Sequence, residues 1–126
     1  MVRLVVAFFV VFASPANACS GPDSQRTVFF EDIPKGFNGP NAFRASAIRQ
    51  AWFSDYFILR VHETLKGDVR PKFINVRSVS TSSCGPIIWA GASGIVIGTL
   101  RVESGEYVLD AVSESLGERQ RRLNLN

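Results

Sequence analysis

The chain has 126 residues, 46% of them hydrophobic, and 14 Lys plus Arg against 11 Asp plus Glu give a formal charge of +3. That length supports one small domain and excludes a two-domain cofactor enzyme. The charge excess is too small to argue for nucleic acid, so no nucleic-acid partner is expected.

The apolar residues are unevenly spread, with 14 of them in the first 18 positions. Met1-Val2-Arg3 supplies a positive start, and Leu4 to Ala13 is an uncharged apolar run. Ser14-Pro15 breaks the run, and Ala16-Asn17-Ala18 closes it with an A-x-A cleavage site. This is the three-part pattern of a secretory signal peptide over residues 1–18. The run is well short of the roughly 20 residues that span a bilayer, and no later stretch is long enough, so no transmembrane segment is expected. The reading implies a secreted or periplasmic protein whose mature chain, residues 19–126, begins at Cys19.

Two cysteines, Cys19 and Cys84, remain in that chain. An even count in an oxidising compartment reads as one disulfide. Two free thiols, or a lipid-anchored Cys19 with Cys84 alone, are the other arrangements. A bacterial lipoprotein site normally has a larger aliphatic residue where Ala16 stands, which disfavours the anchor. A Cys19–Cys84 bond closes a long loop and would contribute about 4 kcal/mol in the chain-entropy model.

Residues 19–41 read as an extended leader rich in Gly, Pro, Asp and Asn, with one apolar knot at Val28-Phe29-Phe30 expected to pack on the core. From 42 to 112 the pattern is β. Strands are expected at Ala42–Arg49, Asp55–Leu65, Lys72–Val79, Ser93–Arg101 and Tyr107–Val112. Phe57, Leu59 and Val61 alternate with Ile58, Arg60 and His62. Lys66-Gly67-Asp68 and Glu103-Ser104-Gly105-Glu106 read as turns. Residues 113–126 read as a short helix or tail whose basic residues form a solvated face. The fold class is therefore all-β (mainly β): a five-stranded antiparallel barrel like the oligonucleotide/oligosaccharide-binding (OB) fold. A single monomeric domain is expected.

Catalytic patterns are missing from the sequence. The one histidine, His62, sits beside Glu63 in a strand, and no nucleophile elbow, Walker loop or dinucleotide fingerprint occurs. Glu31-Asp32 are adjacent with nothing to set their separation. The chain reads as a non-enzyme with no cofactor and no intrinsic metal. Trp52, Tyr56, Arg60, Lys72 and Arg77 are the candidates for a ligand-binding sheet face, for a saccharide or a nucleic acid.

From Phe57 to Asp110 the chain resembles the netrin-like module, the inhibitory domain of tissue inhibitors of metalloproteinases. The resemblance rests on Leu65-Lys66-Gly67, Phe73-Ile74-Asn75-Val76, Ser82-Ser83-Cys84-Gly85, the aliphatic strand between Gly91 and Gly98, and the hairpin at Gly105. In that family the mature chain begins with a Cys bonded to the Cys of the Cys-Gly motif. The resemblance implies that Cys19 pairs with Cys84. It further implies that the Cys19 amine and carbonyl chelate the zinc of a metalloproteinase, with the Ser20 side chain entering the enzyme's specificity pocket. The family start Cys-x-Cys is here Cys19-Ser20-Gly21, so its second tether is missing. The competing reading is a periplasmic or envelope-associated ligand-binding or structural barrel without inhibitory activity.

Overall fold

The computed structural model describes residues 26–52, 54–78 and 86–124. Residues 1–18, read from the sequence as a signal segment, and Cys19, Ser20 and Cys84 lie outside these residues. Among the described residues, seven strands and a helix follow in chain order: β1 (Arg26–Thr27), β2 (Asn41–Gln50), β3 (Tyr56–Lys66), β4 (Phe73–Arg77), β5 (Ser93–Glu103), β6 (Glu106–Ala111), β7 (Glu114–Ser115) and α1 (Leu116–Asn124).

The five long strands close into a barrel in the order β2-β3-β4-β6-β5, and β1 pairs with β7 as a small separate ribbon. This is a mainly-β, OB-fold-like barrel with one short C-terminal helix. Four seams are antiparallel; the fifth, β4 with β6, is parallel, which corrects the fully antiparallel expectation. The reason is one of parity. Strand direction cannot alternate all the way round a closed ring of five, so one neighbouring pair must run the same way. The long connection after β4 carries the chain across to β2's far side, and the β5–β6 hairpin returns it beside β4.

Each expected strand is present, with ends shifted by a few residues. The alternation in β3 holds: Phe57 and Leu59 are buried and Val61 half-buried, whereas Arg60 and His62 are exposed. The inward positions of all five strands form one cluster, including Phe43, Leu59, Ile74, Val76, Val96 and Leu109. The leader contributes to it as well. Val28 is buried in that cluster, and Phe30 is buried against Ala42, Ile95 and Ile97. Phe30 also exchanges backbone hydrogen bonds with Ile95 in both directions, each 2.8 Å. The apolar knot read from the sequence is thus part of the core.

Strand β5 serves two neighbours in succession. Ser93 to Gly98 pair with β2, and Gly98 to Glu103 pair with β6. Gly98 stands where both ladders meet, opposite Asn41 on one side and Ala111 on the other. A Cβ there would lie 2.1 Å from the Asp110 carbonyl oxygen. Glycine allows this close approach of two backbones at a barrel corner. Just beyond it, the buried Asn41 side chain accepts a 3.0 Å hydrogen bond from the Leu100 amide, which β2 has ceased to pair. The β5–β6 hairpin turns on Ser104 and Gly105, both at positive φ (52° and 79°). A two-residue loop with both residues left-handed matches the twist of the flanking strands.

Gly98→Ala is expected to destabilise the fold by about 2 kcal/mol or more, because the ladder must shift to admit one methyl group. Urea unfolding of the two proteins measures this, and equal midpoints would contradict the close-approach account.

Candidate functional site

Two regions bear on function: the junction of leader, tail and the segment after Cys84, and a groove on the outer face of the barrel.

At the junction, Arg26 forms a parallel bridge with Pro86, two residues after Cys84. Its guanidinium reaches Ser113 Oγ and the Ser113 carbonyl, each at 2.9 Å, and Glu118 Oε2 at 3.0 Å. Helix α1 begins with a reciprocal capping box. The Glu118 amide donates to Ser115 Oγ and the Ser115 amide donates to Glu118 Oε2, both at 3.1 Å. These bonds satisfy amides that the first helical turn leaves open. The Ser115 amide and Arg26 together hold the Glu118 carboxyl below its ordinary range.

Glu114 is the buried anchor of the tail, with 9% of its side chain exposed. Arg122 Nε donates to Glu114 Oε2 at 2.8 Å, and Arg119 Nε donates to Oε1 at 3.2 Å. Arg119 also donates to the Phe29 carbonyl at 3.0 Å, and Arg122 lies over the Phe30 ring. The expected solvated face is therefore corrected in part. Arg119 and Arg122 turn inward because a buried carboxylate and two leader groups offer them partners, whereas Arg121 is exposed.

The second region lies across β3 and β4, between the 51–55 loop and the 103–106 hairpin. These are the OB-fold elements that face ligands in that architecture. Ile58 and Asn75, opposite one another in register, form the floor. A hollow of about 620 Å³ lies over them, bounded by Ile48, Arg49, Lys72, Phe73, Glu106 and Tyr107. A second hollow of about 400 Å³ continues from it, sharing Arg49, Ile58, Asn75 and Glu106 and adding Trp52 and Tyr56. Exposed apolar side chains line the two hollows: Ile48 is 42% exposed, Phe73 52% and Trp52 79%. The buried Asn75 donates to Glu106 Oε2 at 2.8 Å and so orients that carboxylate.

Local backbone chemistry builds both walls. In β2 the register slips between Ala47 and Arg49, so Ile48 and Arg49 together oppose Ile58. Such a bulge turns consecutive side chains outward. The Ala47 amide and carbonyl are taken instead by Ala92 (2.7 Å) and Gly91 (2.9 Å). The 51–55 loop is tied by Gln50 to the Ser54 carbonyl and by the Tyr56 amide to Ser54 Oγ. At the far end Arg101 binds Glu103, Asp110 Oδ2 (3.0 Å) and the Tyr56 hydroxyl (3.2 Å). That contact holds the Glu103 carboxyl below its usual range and pushes the Arg101 pKa upward.

Of the residues nominated from sequence, Trp52, Tyr56 and Lys72 line this groove. Arg60 is exposed opposite Phe73, and Arg77 pairs loosely with Asp55 at 4.0 Å. His62 Nε2 and Ser46 Oγ share a 2.7 Å hydrogen bond on the exposed face. Ile48, Arg49, Asn75 and Glu106 were not legible as site residues, since the β2 bulge and the parallel seam bring them together. The Ser115-x-x-Glu118 spacing, by contrast, was a readable helix start.

Comparison with protein-family models, with curated proteins and with solved structures finds no match. Among the described residues, no helix is long and apolar enough to cross a membrane.

The Glu114 carboxyl is held below its ordinary range by Arg122 first and Arg119 second, against the opposing effect of its burial. A lowered folded pKa means the contact contributes fully above the unfolded value near ~4.3 and is lost as pH falls through the folded one. Glu114→Gln is expected to cost about 1–2 kcal/mol at neutral pH, and less as acid protonates the wild-type carboxyl. Urea unfolding of both proteins between neutral and acidic pH measures the difference; a gap that widens in acid would contradict this assignment.

Proposed function

We propose that the chain is an exported netrin-like binding module that acts through its mature amino terminus. On this reading residues 1–18 are removed on export, Cys19 becomes the first residue, and a disulfide to Cys84 holds it. The partner is a zinc metalloproteinase with an open coordination position. The Cys19 amine and carbonyl displace the zinc-bound water, and Ser20 points into the adjoining specificity pocket. The amine must be neutral to donate its lone pair. Its reference pKa of about 7.7–8.0 puts that within reach near neutral pH, and inhibition weakens as acid protonates it.

The observation that carries this reading is the parallel bridge between Arg26 and Pro86. It runs the leader alongside the segment that follows Cys84-Gly85. Arg26 is seven residues beyond Cys19 in sequence and Pro86 two beyond Cys84. The chain has ample length to bring the two cysteines together. The closed OB-like barrel is the scaffold the resemblance calls for. A rigid, disulfide-held terminus lowers the ordering cost of binding.

A second reading is a periplasmic or envelope-associated ligand-binding barrel without inhibitory activity. The outer groove with its exposed aromatics favours it.

Mass spectrometry of the exported protein is expected to show a free Cys19 amine and one disulfide. Inserting one alanine before Cys19 moves the amine by up to about 3.8 Å. It is expected to weaken inhibition of a sensitive metalloproteinase by about 100-fold or more, the scale of a lost binding anchor. An acylated Cys19, or unchanged inhibition by the extended protein, overturns the proposal.

A further inference from the structure

We infer that the outer groove is a binding site for an acidic oligosaccharide, a chain of sugar rings carrying carboxylates. This site is separate from the Cys19 terminus and does not depend on it.

Three observations converge. First, the groove presents apolar surface to solvent: Phe73 at 52% exposure, Ile48 at 42% and Tyr107 at 37%, over the Ile58 floor. Flat rings and branched aliphatic groups match the C–H faces of pyranose rings, which are apolar although their rims are hydroxylated. Exposed apolar groups gathered in a hollow of about 620 Å³ have the character of a ligand site. Second, the Asn75 amide holds the Glu106 carboxylate in a fixed orientation at 2.8 Å. An oriented amide and carboxylate side by side are suited to a pair of neighbouring hydroxyls, which donate and accept together. Third, Arg49 and Lys72 border the same hollow, and neither side chain has an ion-pair partner among the described residues. Two unmatched cations beside an apolar floor favour an anionic ligand, and the arginine fork suits a carboxylate.

The other occupants fit less well. β3 and β4 both have neighbours on each side in the closed barrel, so a peptide cannot add there as a new strand. A nucleic-acid strand needs a continuous basic track for its phosphates. Here Glu103 and Glu106 stand along the wall and interrupt any such track. In an acidic sugar chain each ring also carries hydroxyls, which can face Glu106 while carboxylates meet Arg49 and Lys72. From β2 to β6 the groove crosses three strand spacings, about 14 Å, which fits a short oligomer better than a single ring.

The test is titration of the purified protein with a galacturonic-acid hexamer, followed by amide NMR shifts and calorimetry. A neutral galactose hexamer, a hexameric oligonucleotide and a hexaglutamate peptide serve as comparisons. The acidic hexamer is expected to perturb residues 48–49, 58, 72–75 and 104–107, and to bind about tenfold or more tighter than the neutral one. Phe73→Ala, at an exposed position, is expected to weaken both sugars. Glu106→Gln should weaken both, and Arg49→Glu with Lys72→Glu should abolish the preference for the acidic one. Unchanged unfolding midpoints show that each variant folds. No shift in the groove, equal binding of hexaglutamate or the oligonucleotide, or an acidic preference that survives Arg49→Glu with Lys72→Glu overturns the inference. Truncating or extending the chain at Cys19 should leave this binding unchanged, so its failure and that of protease inhibition are distinguishable.

Discussion

Barrel closure depends on one strand pairing with two partners in turn. β5 pairs with β2 through Gly98 and with β6 from Gly98 onward. Because the Asp110 backbone comes so close, the corner admits no side chain. Asn41 then accepts from the Leu100 amide where β2 ends. The rest follows from this corner. β5 can cross from one side of the barrel to the other without breaking, β6 returns beside β4, and the odd ring closes through a parallel seam. That seam places the 103–106 hairpin across from the 51–55 loop. The groove between them is a consequence of closure.

The ends of the described chain strengthen the same body. Val28 and Phe30 fill the core from the leader, and burying two such side chains is worth roughly 3–6 kcal/mol before the cost of ordering the backbone. The tail holds the leader in place through directed polar contacts. Glu114 gathers Arg119 and Arg122, Arg119 reaches the Phe29 carbonyl, and Arg26 joins Ser113 and Glu118. A mostly buried carboxylate needs such partners, since an unmatched charge there would be costly. One set of interactions thus secures both ends of the described chain near the Arg26–Pro86 bridge, on which the proposed arrangement of Cys19 and Cys84 rests.

Much of the architecture was legible because strand burial repeats every two residues. Phe57-Leu59-Val61 and Ile74-Val76 marked inward faces without knowledge of their neighbours, and Ser104-Gly105 marked a tight hairpin. The limits lay where the period breaks. Ile48 and Arg49 both point outward because a bulge interrupts β2, and alternation cannot reveal a bulge. Arg119 and Arg122 looked like solvated charges because their partner Glu114 is buried only once the tail folds back. Asn75 and Glu106 are 31 residues apart in sequence and meet through the parallel seam. The candidate terminus at Cys19 and Ser20, with Cys84, was named from the order of residues alone and lies outside the described part of the chain.

Local chemistry in the sequence therefore determined which segments become strands, where they turn, which residues face inward and that the leader's apolar knot is buried. These are matters of near neighbours, period-two burial and turn stereochemistry, and each is encoded within a few residues. Tertiary structure alone decided the strand order, the parallel seam, the burial of Glu114 and the walls of the groove. Those depend on segments far apart in the chain, and barrel closure brings them together.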